Sequence, residues 1–151
     1  MYKEIERIMN VNFNLDRFID AQTRVLPTVL QELKRGRKQT HWMWFVFPQI
    51  AGLGRSETAR YYAIINIDEA KAYMLNLTLK ARLEECISAV LSCNVNNPVR
   101  IFGEVDALKF HSSLTLFAMV EPENELLQVA LNKYFGTTDF GTEQIIKKSS
   151  K

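Results

Sequence analysis

Residues 79 to 91 read Leu79-Lys80-Ala81-Arg82-Leu83-Glu84-Glu85-Cys86-Ile87-Ser88-Ala89-Val90-Leu91, and this stretch sets the class of the fold. Leu79, Leu83, Cys86, Ile87, Val90 and Leu91 recur at i, i+4, i+7, i+8, i+11 and i+12. That spacing puts them on one side of a helix and requires the side to be buried. Thr78 stands where a cap would, and Asn96, Asn97 and Pro98 end the element.

Outward from this helix the same period recurs. Downstream, Asp106 is placed to cap a helix running to about Val120, and Asn124 to cap a last one with Leu127, Ala130, Leu131 and Tyr134 inward and Gly136 after it. Upstream, Asn14 is placed to cap a first helix with Phe18, Ala21, Val25 and Leu26 on its inner face. Pro27 either interrupts that helix or starts a second one, and Leu30 and Leu33 carry the apolar face to Gly36. Ser56 is a candidate cap for a helix through Tyr61 and Tyr62, and Asn66 with Glu69 has capping-box spacing. The expected architecture is mainly α, a compact single-domain helical fold with one extended aromatic segment. An N-terminal extension (1–13), one globular domain (14–142) and a polar C-terminal tail (143–151) divide the chain.

At 151 residues the chain is long enough for one core, and 47% hydrophobic with 24% charged residues is a globular composition rather than a disordered one. A net charge of +2 is too mild for a dedicated nucleic-acid binder. The basic residues concentrate at Lys34, Arg35, Arg37 and Lys38 around Gly36, with Lys147, Lys148 and Lys151 at the tail. Cys86 and Cys93 are seven apart, roughly 10 Å along a helix, too far for a disulfide. With two cysteines and two histidines no structural zinc cluster has a ligand set, and no metal or cofactor is expected. The N-terminus, with Glu4 and Glu6, lacks a signal-peptide apolar region, and no run reaches membrane-spanning length, so a cytoplasmic protein is expected.

The segment from Gly36 to Gly54 breaks the helical pattern. Thr40-His41-Trp42-Met43-Trp44-Phe45-Val46-Phe47-Pro48-Gln49 holds both tryptophans. Aromatic side chains bury large areas and Pro48 biases Phe47 toward an extended conformation, so core filling explains much of the run. Its polar ends, His41 and Gln49, could also stand at the rim of an aromatic pocket where a flat ligand stacks on Trp42 or Trp44. Gly52-Leu53-Gly54-Arg55-Ser56 leads into a helix, a context that can hold an anion on backbone amides with Arg55 adding a bidentate contact. Glu57 occupies the position of a third glycine and no P-loop lysine follows, so a plain glycine turn with a serine cap is the simpler account of these residue types.

Asp106, Lys109 and Ser113 share a helix stripe beside Phe110, Leu114 and Phe117. A solvated face would explain the polar residues, but Ser112, Ser113 and Thr115 are poor exposed mid-helix choices, which points to an interior hydrogen-bond network. His111 faces away and is read as surface or packing. Cys86 lies on the apolar face and reads as an inert thiol.

These residues resemble the family catalogued as domain of unknown function 1810. The resemblance runs from Leu15 to about Thr142. It is carried by Arg17-Phe18 with Ala21-Gln22, by Gly36-Arg37-Lys38 leading into the aromatic block, and by Gly52-Leu53-Gly54 with Ser56. Asp68-Glu69-Ala70, Ile101-Phe102-Gly103, Asp106 with Lys109, Ser112-Ser113 and Phe135-Gly136 with Asp139 continue it. Leu77-Thr78 replaces the family's His-Pro. The resemblance implies a mainly helical fold and no established activity. More distantly, the order of elements is similar to the NAD and ADP-ribose associated family that includes an N-glycosidase, whose acidic and aromatic motifs are not matched here.

Two functions follow as expectations. The first is a pocket for a small phosphorylated or nucleotide-like ligand, with N-glycosidic hydrolysis as its enzymatic form. Its candidate contacts are Gln22, His41, Trp42, Trp44, Gln49, Gly52, Gly54, Arg55, Ser56, Asp106, Lys109, Ser112 and Ser113. The second is a non-enzymatic module in which the Lys34 to Lys38 turn binds a protein or a single nucleic-acid strand.

Overall fold

The stripe from Leu79 to Val90 is buried along helix α6 (Leu77–Ser92), which packs beside the long helix α2 (Asp16–Lys34). The structure, a computed structural model, describes residues 2–149. Ser150 and Lys151, the last two positions of the expected tail, lie outside the described residues. The remaining helices are α1 (Tyr2–Met9), α3 (Met43–Val46), α4 (Glu57–Tyr61), α5 (Ile67–Leu75), α7 (Pro98–Phe102), α8 (Glu104–Val120), α9 (Glu125–Tyr134) and α10 (Phe140–Ser149). Among the described residues there is no strand, only a parallel bridge between Ile50 and Ile64, and no helix is long and apolar enough to cross a membrane.

Helix α8 is the central element, packed against α5, α7, α9 and α10. Every residue from Ser112 to Ala118 is buried, so a helix surrounded on most sides has no single apolar face to display. Phe110 is the hub of its aromatic contacts, with ring centroids 4.9 Å from Phe47 and 4.6 Å from Phe102. Ser112 and Thr115 are tolerated here because they bond inward. Ser112 Oγ donates to Asp139 Oδ2, and Thr115 Oγ1 donates to the His111 carbonyl while accepting from the Asp139 amide. Asp139 Oδ2 also accepts from the Thr142 amide and hydroxyl, capping α10 and fixing it to α8. His111 stacks on Phe135 at 4.0 Å, a packing role.

Several local expectations change. The aromatic run is not extended: the Val46 and Phe47 amides bond back to the carbonyls of Trp42 and Met43, closing the single turn α3 and turning Trp42, Met43, Val46 and Phe47 inward. Asn14 does not cap; it takes a left-handed φ of 55°, which asparagine tolerates, and α2 begins without a side-chain cap. Pro27 lies inside an unbroken α2. Asn76, rather than Thr78, caps α6 through the Leu79 amide, and Asp106 is the third residue of α8 rather than its cap. Ser56, Asn66 and Asn124 cap as their spacing predicts. Residues 143–149 continue α10, which buries Thr142 and Ile146, and the N-terminal extension contains α1, which buries Ile8 against α5.

Gly36 ends α2 at φ 72°, and a β-carbon there would stand 2.7 Å from Val95 Cγ2. Left-handed backbone and steric conflict act together, so Gly36→Ala should lower unfolding free energy by about 2 kcal/mol, measured by urea titration.

Candidate functional site

Three side chains of α2 hold the segments on which a site could be built. Near its start, the Arg17 guanidinium donates to the carbonyls of Phe13, Asn14, Tyr61 and Ala63 and pairs with the buried Glu69 at 2.9 Å. One and a half turns on, the Gln22 amide donates to the Phe45 carbonyl and the Tyr73 hydroxyl. Near its end, Glu32, only 2% exposed, accepts from the Gln39 and Thr40 amides, the Thr40 hydroxyl and the Trp42 indole. Burial alone would raise the Glu32 carboxyl, but these donors, the Thr40 hydroxyl foremost, hold it down at about 2. A buried carboxylate thereby fixes the loop that delivers the aromatic run.

The run divides at that point. Trp42 is 1% exposed with its N–H committed to Glu32, so the stacking role considered for it is corrected: it is a core residue. Trp44 is half-buried and lines a narrow crevice with Phe47, Gln49, Ala59, Tyr62, Ala63 and Lys109. The space left inside is about 10 Å³, room for about one water. The Trp44 N–H, the Gln49 side-chain amide and the Tyr62 hydroxyl have no hydrogen-bond partner among the described residues. Burial raises the Tyr62 hydroxyl above its ordinary value, so it stays protonated and able to donate.

Beside the crevice the charges do not balance. Asp106 pairs with Lys38 at 2.9 Å on one oxygen and lies 3.7 Å from Lys109 on the other. Lys38 lies over the Trp42 ring at 5.0 Å and Lys109 over the Trp44 ring at 5.2 Å. Two ammonium groups thus share one carboxylate, and the cation facing Trp44 is the less completely neutralised.

The other sequence candidates are placed as follows. Gln22 is buried as a tie between α2 and α3, with Oε1 unpartnered; it does not line the crevice. Ser112 belongs to the α10 anchor, and Ser113 Oγ is buried without a partner. Gly54 is required by close packing, since a β-carbon there would lie 2.6 Å from Ala59 Cβ and 3.1 Å from Gln49 Nε2. Gly52, Leu53 and Gly54 fold against α10 and α4 rather than forming an open anion loop; Gly52 approaches Ile145 and Leu53 approaches Gly141. Ser56 Oγ is used on the Ala59 amide, and α4 is a single turn with little dipole. Arg55 and His41 are exposed without ion pairs or hydrogen bonds among the described residues. Tyr62 was missed as a lining residue. Its signal was its place one residue beyond a short capped helix, where the chain must turn inward. Among the described residues no group of three or more His, Cys, Asp or Glu side chains could hold a metal ion.

A family model described as protein of unknown function DUF1810 matches residues 12–146, all of the elements above except α1 and the end of α10. The fold is similar to the crystal structure of the conserved hypothetical protein Rv1873 from Mycobacterium tuberculosis. The two chains are 42% identical, with a TM-score of 0.87, over 91% of this chain and 99% of that one. No curated protein matches.

Proposed function

Because this chain belongs to that family of proteins of unknown function, whose description supplies no reaction, we propose a function from the crevice itself: capture of the anionic end of a small, flat, nucleotide-like ligand. The observation that carries the reading is the Lys38–Asp106–Lys109 cluster, two cations to one carboxylate, beside unpartnered donors on Trp44, Gln49 and Tyr62. The ligand's anion would complete the cluster and its ring would lie against the half-buried indole of Trp44. Hydrolysis has less support. The crevice lining holds no carboxylate, cysteine or histidine, and Asp106 is already bridged. The two free, buried thiols suit a reducing compartment, and we place the protein in the cytoplasm on that basis.

Lys109→Met keeps the packing stem and removes the charge. Titration with AMP or ADP-ribose, followed through the Trp44 indole signal, should show affinity at least about tenfold weaker in the variant. Equal affinity would defeat the reading. A second reading, a polynucleotide- or protein-binding module, draws on Lys34, Arg35 and Arg37, which are exposed and without ion-pair partners among the described residues. Polynucleotide binding that falls steeply with salt and survives Lys109→Met would favour it.

A further inference from the structure

Helix α1 is joined to the rest of the fold at few points. Ile8 is its one buried residue, 2% exposed, with Ile5 half-buried before it, and α5 is the helix it packs against. Among the described residues, only two ion pairs tie residues 2–11 to the remainder: Glu4 with Lys71 at 2.6 Å and Arg7 with Asp68 at 2.7 Å. The backbone of the segment bonds to itself, from the Asn10 amide to Glu6 and from the Val11 amide to Ile8. Open clefts of about 200 and 170 Å³ flank Ile8, with Leu75 in the wall of both, so α1 rests on one apolar knob rather than along a packed seam.

The four charges are ordered. Glu4 and Arg7 stand acid before base, three residues apart on α1, and Asp68 and Lys71 repeat that order on α5. Only an antiparallel approach brings opposite signs together; a parallel one would set Glu4 against Asp68 and Arg7 against Lys71. The pattern sets the direction of docking but holds it weakly. The Arg7 and Glu4 side chains are 57% and 49% exposed, and exposed pairs contribute little and are screened by salt. An isolated eight-residue helix does not keep its shape in water, so leaving α5 and melting are one event. The surface left behind is apolar: Met74, 4% exposed, and Val120 line the cleft beside Ile8. Arg17 holds the Phe13 and Asn14 carbonyls, so the opening stops before α2.

We infer that α1 is a releasable cap, latched by two salt-sensitive ion pairs over an apolar groove of α5 and α8, that opens as a unit while the other helices stay folded. The occupant of the groove is α1 of the same chain. Its position responds to ionic strength and to removal of the Lys71 charge by modification.

The test is hydrogen exchange on the full chain, read residue by residue at about 20 mM and about 500 mM NaCl. The amides of residues 6–11 should exchange at least about 100-fold faster than those from Leu83 to Val90 in α6, and about threefold faster again at high salt while α6 is unchanged. A soluble paramagnetic relaxation agent should reach the Met74 methyl in step with that change, with Met9 exposed and Met43 shielded throughout. Lys71→Glu should speed exchange in α1 by about fivefold at low salt, and adding Glu4→Lys should recover part of it, a rescue that simple fraying of a chain end would not show. The salt series uses the unaltered protein and does not depend on any variant folding. Amides in α1 as slow as those in α6 would overturn the inference by making α1 integral to the core. Fast exchange indifferent to salt and to Lys71→Glu would overturn the latch. Protection lost in α5 and α8 together with α1 would overturn the separate unit.

Discussion

Glu32→Ala will lower the unfolding free energy by about 3–5 kcal/mol, the cost of leaving buried donors on Gln39, Thr40 and Trp42 without an acceptor. Against a typical domain stability of about 5–15 kcal/mol this is a large fraction of the total. The carboxyl also imposes a pH signature. Its value in the folded chain, about 2, lies below the ordinary 4.5, so the folded state holds its proton less tightly than the unfolded chain does. The resulting stabilisation is complete above about pH 4.5 and is lost as the pH falls through about 2, a difference of about 3 kcal/mol. Urea titrations at pH 7 and pH 3 should show this acid loss in the parent protein and a much flatter response in the variant. An equal slope in both would mean that another carboxylate carries it.

Arg17→Ala should cost a similar 3–5 kcal/mol by a different route: it strands Glu69, 1% exposed, without its counter-charge. Four backbone carbonyls lose a donor at the same time. Arg17→Lys keeps the charge but cannot reproduce the planar fork, so it should recover only part of the loss. Thermal unfolding of the three proteins checks the order. A lysine variant as stable as the parent would show that charge alone, and not the array of carbonyl bonds, supports this corner.

Helices with one buried stripe were legible in the sequence, as α6 and α9 show, because their inward residues recur often enough to fix a phase. Helix α10 was not, since only Thr142 and Ile146 point inward, and two positions four apart do not make a stripe. Helix α8 gave its end near Val120 but neither its start nor its environment; over its second half, surrounded by neighbours, it mixes serines and a threonine with leucines on faces that are all interior. Of the polar run there, Ser112 and Thr115 bond inward and Ser113 does not, and their partner, Asp139, lies 24 to 27 residues away where no local spacing announces it.

The candidate site was legible in outline only. Trp44, Gln49 and Lys109 do line one crevice, whereas Trp42 and Trp44, two apart in an aromatic run, could be sorted only by knowing that Glu32 claims the first indole. Glu32 and Arg17 themselves were hidden because charged residues on a helix are ordinarily solvated, and nothing in their spacing says that four or more partners converge on each.

Helix α2 spans about 28 Å, and its anchors set the opposing jaws of the crevice independently. Arg17 grips the carbonyls on either side of Tyr62, while Gln22 and Glu32 grip the backbone and indole on either side of Trp44. The gap between the two aromatics is therefore gauged by a rod neither of them belongs to. Inserting one residue into α2 between Arg17 and Glu32 would swing one anchor by about 100° relative to the other and pull both jaws out of register. The width of the crevice is accordingly set by the number of residues between those anchors rather than by any residue of its lining.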